Sequence, residues 1–347
     1  MRTSPGPPLR RALALALTLL AVAAAPPAPA AEAGRVPFAE RYRALQHGGL
    51  VRAANTSITC RTASATCPGE ASNDGTDMFY VDVDRDPNTY NSSRAEVRLP
   101  AGARVTYARL YWGGNLRVGE QKPPKDDGRV LIAEPGGDYK ELLADTLIGH
   151  RVAQGADAYQ ASADVTELVR ASGSGLYTVA QVNAAMGRSA AGAWGGWTLV
   201  AAYENPAEPL RHLVLWDGFD TLDPGVTARI RAPLPKGAGG RVGLVAYDGD
   251  RGRTGESFTL STDSRSGGTF TDAANPRTDV LNSTISEPGT APALRMPSPS
   301  NTLGYDSDVF DLGKALRSGG DQLAFRLVSQ RDAAWAGALF VAVDARK

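Results

Sequence analysis

The sequence predicts an all-β protein: two tandem jelly-roll-like β-sandwich modules behind a cleaved signal peptide, with helix confined to short turns. Three observations carry that expectation. Short runs rich in Val, Leu, Tyr and Trp recur between clusters of Gly, Pro, Asn and Asp, which is the grammar of strands and turns. The 38 glycines and 23 prolines are scattered along the chain, as the many reversals of a sandwich need. The third is an internal echo, in which the landmarks of one half return in the same order in the other.

At the N-terminus, Arg2, Arg10 and Arg11 precede an apolar run over 12–25 that gives way to small residues and prolines, the three-part shape of a secretory signal. Cleavage is expected after Ala28-Pro29-Ala30, with Ala31-Glu32-Ala33 as a second option. Residues 1–30 are therefore set aside from the fold, and 31–44 read as a linker. No later segment approaches the roughly eighteen apolar residues of a membrane span, so the mature chain is expected to carry no integral membrane segment. Export also settles the expected state of Cys60 and Cys67, the only cysteines, as a local disulfide.

The first module is read as 45–205. Its expected strands are 78–83, 95–99, 105–112, 130–133, 177–182 and 197–203, each a short apolar or aromatic run bounded by turn residues. The second module, 206–347, begins near Asn205-Pro206-Ala207-Glu208-Pro209. It holds expected strands at 213–216, 227–232, 242–247, 323–327 and 338–343. The echo aligns Gly102-Ala103-Arg104-Val105 with Gly239-Gly240-Arg241-Val242, each leading into a strand. It then aligns Asp164-Val165-Thr166-Glu167-Leu168 with Asp308-Val309-Phe310-Asp311-Leu312, each followed by a glycine turn, a strand, a Trp-bearing loop and a last strand. Asp164 and Asp308 are each expected to cap a short helical turn.

Thirty-seven basic and thirty-seven acidic residues cancel, leaving no electrostatic footprint for nucleic acid or for an anionic membrane. Within that balance, Asp82, Asp84 and Asp86 alternate, with Asn88 next in phase. On an extended chain their side chains share one face, and an all-oxygen ligand set suits calcium. The spacing is not that of an EF-hand loop, since Pro87 and Ser93 stand where its glycine and bidentate glutamate would be. A weaker calcium candidate, Asp248, Asp250 and Glu256, occupies the corresponding loop of the second half. Of the five tryptophans, Trp194 in Ala193-Trp194-Gly195-Gly196 is the best exposed stacking candidate, and at least three of the five read as core. There is no Gly-x-Ser-x-Gly elbow, His-Glu-x-x-His helix, phosphate loop or dinucleotide turn, and no catalytic residue is assigned.

Several longer segments carry a family resemblance. They include Tyr80-Val81-Asp82-Val83-Asp84-Arg85-Asp86-Pro87, Ala108-Arg109-Leu110-Tyr111-Trp112-Gly113-Gly114, Gly195-Gly196-Trp197-Thr198-Leu199-Val200 and Tyr247-Asp248-Gly249-Asp250. From about Gly48 to Val343 the chain resembles the large N-terminal β region of bacterial surface and secreted proteins that often precedes DUF11-type repeats. The resemblance implies export and an extracellular life, and brings no activity with it. The expected function is a secreted or cell-wall-associated, non-catalytic binding or adhesion module, calcium-stabilised, with a cell-envelope polymer, glycan or protein as partner. A glycan-active hydrolase or a carbohydrate-binding module on the same scaffold is the alternative.

Overall fold

Alternation decides this fold, because its large strands bury both faces and send odd and even residues into different cores. The structure, a computed structural model, describes Met1 and residues 36–60, 67, 72–263, 265–289, 293–316 and 319–346. The expected signal peptide lies outside the described residues. In chain order the first strands are β1 (Val36–Thr56), β2 (Ile58–Cys60), β3 (Met78–Tyr80), β4 (Ser92–Val97), β5 (Arg104–Asn115), β6 (Arg129–Ala133), β7 (Lys140–Leu143), β8 (Thr146–Ala153) and β9 (Ala156–Asp164). A helix, α1 (Thr166–Ser172), leads to β10 (Gly175–Ala180) and β11 (Gly195–Glu204). The rest are β12 (Leu210–Thr221), β13 (Val226–Leu234), β14 (Gly240–Tyr247), β15 (Glu256–Thr262), β16 (Arg265–Thr269), β17 (Arg295–Met296), β18 (Tyr305–Asp306), β19 (Val309–Asp311), β20 (Gly320–Ser329) and β21 (Trp335–Asp344). Each run expected to form a strand does so at least in part.

The pairing is antiparallel throughout and repeats itself. In the first half the order β1–β11–β5–β9 is accompanied by a second sheet, β4–β10–β6–β7. In the second half β12–β21–β14, with β18 and β19 on the outer edge of β14, is accompanied by β13–β20–β15–β16. Both sets have the strand order of a jelly roll, and β5 and β14, β10 and β20, and β11 and β21 hold equivalent places. The echo in the sequence is thus an echo of topology.

Three cores follow from the period of two. Leu110 and Trp112 of β5 meet Trp197 and Leu199 of β11 and Tyr177 and Val179 of β10 inside the first sandwich. Leu244 of β14 and Leu339 and Val341 of β21 meet Phe258, Phe310 and Phe325 inside the second. The intervening residues Tyr111, Val200, Val245, Tyr247 and Phe340 point the other way, into a third cluster with Leu215, Phe219, Tyr305 and Trp335. The two large sheets therefore pack face to face, which gives four layers of sheet around three cores.

One strand joins those sheets. Residues Val36 to His47 of β1 pair with β12, and Gly48 to Thr56 pair with β11. The switch falls at Gly48, where φ is +135° and a Cβ would lie 2.0 Å from the Tyr203 carbonyl oxygen, so only glycine fits. Residues 36–44, expected as linker, are instead the sheet-bridging part of β1, whose alternating half-buried and exposed residues include Glu40, Arg41 and Arg43.

The two aspartates expected as caps diverge. Asp164 lies one residue ahead of the N-cap of α1, Val165, which makes no side-chain cap bond, and its Oδ1 accepts from the Thr166 amide at 2.8 Å. Asp308 is fully buried, and its Oδ1 accepts from the Ser286 amide at 2.8 Å and from Thr284 Oγ1 at 3.1 Å, which ties down a loop and caps no helix.

Candidate ligand-binding site at the seam of the two sandwiches

Where β1 leaves one large sheet for the other, the seam opens into a pocket of about 360 Å³. Leu50, Val309, Phe340 and Ala342 give it apolar surface, and Arg52, Arg211 and Arg241 with Glu208, Glu287 and Asp311 give it charge of both signs, with residues drawn from both halves. Two of these arginines are engaged. Arg211 meets Glu208 at 2.8 Å and Asp344 at 3.0 Å, and its Nη1 donates to the Gly48 carbonyl at 2.6 Å. Arg241 bridges to Glu287 at 2.5 Å.

Arg52 is different. Its neighbours Val51 and Ala53 face the first core, so the pleat of β1 turns Arg52 toward the second half. Only 7% of it is exposed, its Nη2 donates to the Ser286 carbonyl at 2.7 Å, and its Nε has no partner. Burial lowers its pKa, opposed by the charges of Glu287 and Asp308. A largely buried guanidinium with a free N–H at the wall of a cavity is a donor waiting for an acceptor.

The sequence-predicted sites are placed otherwise. Asp82, Asp84 and Asp86 do not lie on an extended strand, because β3 ends at Tyr80 and Arg85 takes a φ of +63°. Each carboxylate serves the loop instead. Asp82 Oδ1 accepts from Ser92 Oγ at 2.7 Å, and Asp84 Oδ1 accepts from the Asp86 amide at 2.7 Å and from Thr89 Oγ1 at 3.0 Å. Asp84 Oδ2 accepts from the Tyr139 hydroxyl, and Asp86 Oδ1 takes both the amide and the side-chain Nδ2 of Asn88. The bonds from the Asp86 and Asn88 amides are Asx-turn interactions, for which Asp and Asn are the favoured residues.

Asp248, Asp250 and Glu256 are buried, and Asp279, Asp306, Asp308 and Asp332 lie buried in the same half. Asp248 Oδ1 accepts from Asn73 Nδ2 at 3.0 Å, Glu256 Oε2 from the Leu281 amide at 2.7 Å, and Asp332 Oδ2 from the Asp250 amide at 2.8 Å. Arg253 pairs with Asp250 at 3.0 Å and with Asp74. Burial pushes Asp250 up to about 8, Glu256 to about 10 and Asp308 to about 7, and it raises Asp248 and Asp306 well above the carboxylate range. Among the described residues no three His, Cys, Asp or Glu side chains form a group that could hold a metal ion.

Trp194 is fully buried, with its ring 5.4 Å from that of Tyr247 in the middle core, and offers no stacking face. The glycines after it admit neighbours to the backbone: a Cβ on Gly196 would lie 2.8 Å from the Tyr305 ring. Cys60 and Cys67 form the expected disulfide, with Cα atoms 5.9 Å apart. His150 Nε2 and Asp157 Oδ1 stand 2.5 Å apart, near Asp127, which burial pushes up to about 7. Asp127 is only 1% exposed, so its carboxyl is not presented to a substrate.

No family model matches the chain, and no curated protein matches it. Among the described residues no helix is long and apolar enough to cross a membrane. Arg52 escaped sequence reasoning, although one signal was present: a lone cation in the apolar run Leu50-Val51-Arg52-Ala53-Ala54.

Proposed function

We propose that this chain is an exported, non-catalytic binding module of the cell exterior, and that it holds a cell-envelope polymer or glycan in the seam pocket. The observation that carries the reading is the pocket itself, a cavity of about 360 Å³ walled by both halves, in which apolar side chains sit beside arginines and carboxylates. The signal-like N-terminus and the disulfide support an oxidising, extracellular setting. The resemblance to the N-terminal β regions of bacterial surface proteins points the same way.

Retention of the exported chain on glycan arrays and on purified cell-wall fractions tests this. Saturable retention by the wild type, weakened in Arg241→Ala at unchanged melting temperature, is the expected result. Absence of retention on every surface, or equal retention by the variant, overturns the reading.

A further inference from the structure

Behind Arg52 lies a second, smaller cavity of about 180 Å³, lined by Arg52, Ile285, Ser286, Glu287, Ala293 and Arg295. Arg52 therefore stands in the wall between this cavity and the seam pocket. Arg295, from β17 on the edge of β4, brings a second guanidinium to the same space.

Neither arginine has a carboxylate within ion-pairing distance among the described residues. Arg295 Nη2 donates to the Pro299 carbonyl at 3.3 Å, and its Nη1 is buried without a partner, as is Nε of Arg52. The nearby carboxylates are spoken for: Glu287 bonds Arg241 across the seam, and Asp308 accepts from Ser286 and Thr284. Burial and the charge of Arg52 together lower the pKa of Arg295 to about 10, with Asp308 opposing. Two like charges, one buried and one largely so, with no carboxylate directly ion-paired to either carry a desolvation cost, which an anion between them relieves. Guanidinium forks match the oxygens of carboxylate, phosphate and sulfate, and hydrogen bonds of this charge-assisted kind are the strong ones.

We infer that the cavity behind the seam is an oxyanion site, in which Arg52 and Arg295 hold a carboxylate, phosphate or sulfate group of the bound ligand. The inference deepens the binding-module reading and rests on it. It makes the seam pocket the seat of the ligand body and the inner cavity the seat of its charge. Arg52, which touches both, couples the two.

Calorimetric titration and thermal unfolding of the exported chain with acetate, inorganic phosphate and sulfate, each against chloride at equal ionic strength, test it. Saturable binding and a raised melting temperature are expected for at least one oxyanion, and the responding arm identifies the group. In Arg295→Gln, a partly solvated position, affinity should fall at least about tenfold through loss of a charge-assisted contact. Arg295→Lys, which keeps the charge and loses the fork, should fall between the two. If Arg52→Gln fails to fold, the Arg295 pair still decides. Equal behaviour of all oxyanions and chloride, or unchanged affinity in Arg295→Gln, overturns the site. Polymer retention without any oxyanion response also overturns it, while leaving the binding-module reading standing.

Discussion

The phenol of Tyr247 on β14 donates to Oε1 of Gln160 on β9 at 2.8 Å, and so joins the two large sheets across the middle core. Gln160 completes the bridge with Nε2, which donates to the Gly218 carbonyl at 3.1 Å and to the Gly337 carbonyl at 3.0 Å. Both side chains are fully buried. Gly337 is required for the approach, since a Cβ there would lie 2.1 Å from Gln160 Oε1. A polar bridge in an apolar layer fixes how the sheets face each other as well as that they do.

Replacing Gln160 with Leu strands three buried groups at once, each worth about 1–3 kcal/mol when left unpaired. The expected loss is about 3 kcal/mol or more. Tyr247→Phe strands only the amide oxygen and should cost about 1–2 kcal/mol. Urea unfolding with unchanged m-values measures both, and a Gln160→Leu protein as stable as wild type would remove the bridge from the account of the fold.

The buried carboxyls make stability depend on pH in the less common direction. Asp250 at about 8 and Glu256 at about 10 keep protons in the folded protein that the unfolded chain releases near pH 4. Between those limits the folded state binds more protons, so their contribution is whole below about pH 4 and is lost as pH rises through the folded values. Glu256→Gln, which keeps an acceptor for the Leu281 amide, should flatten the fall. Melting temperatures at pH 5.5 and 8.5 decide it: the wild type should fall more steeply than the variant, and parallel curves would refute the assignment.

Asp84 provides a test of a loop role against a metal role. Burial works against its charge, but hydrogen bonds from Tyr139, the Asp86 amide and Thr89 hold its carboxyl below the ordinary value. Asp84→Asn weakens those charge-assisted bonds and should cost about 1–2 kcal/mol. The cost should be the same in millimolar calcium and in chelator. Calorimetry showing a calcium-dependent melt in wild type that the variant loses would assign a cation to this loop instead.

What could be read in the sequence was whatever alternates or repeats. β5 and β14 announce themselves through apolar runs beside glycine turns, and their equivalence was visible in the echo. The first part of β1 was not legible, because Glu40, Arg41 and Arg43 lie on a strand with its partner far away in β12, and such pairing is a property of the whole topology. Arg52 was hidden for a related reason. A lone arginine in a strand reads as its wet face, and only a sheet buried on both sides turns it into a buried donor. Trp194 and the Asp82 to Asp86 run failed in the opposite sense: local signals of exposure and alternation were overruled by close packing beside glycine and by Asx turns.

Gly48 concentrates the strand exchange in one residue, which makes its replacement the most demanding test of the architecture. At φ +135° an alanine is strained whatever the space, and here its Cβ would also meet the Tyr203 carbonyl oxygen at 2.0 Å, a backbone atom held by the β1–β11 ladder. Relief requires β1 to part from β11 or from β12, and with it the two large sheets. Gly48→Ala should therefore cost about 3 kcal/mol or more, the sum of conformational strain and a lost piece of ladder. Gly102→Ala is the matched control. Its φ is +77° with nothing within 4 Å of the added Cβ, so only the conformational cost of about 1 kcal/mol remains. Chemical unfolding of the two variants beside wild type measures the difference, and equal losses would mean that the crossing of β1 between the sheets does not depend on the close approach at Gly48.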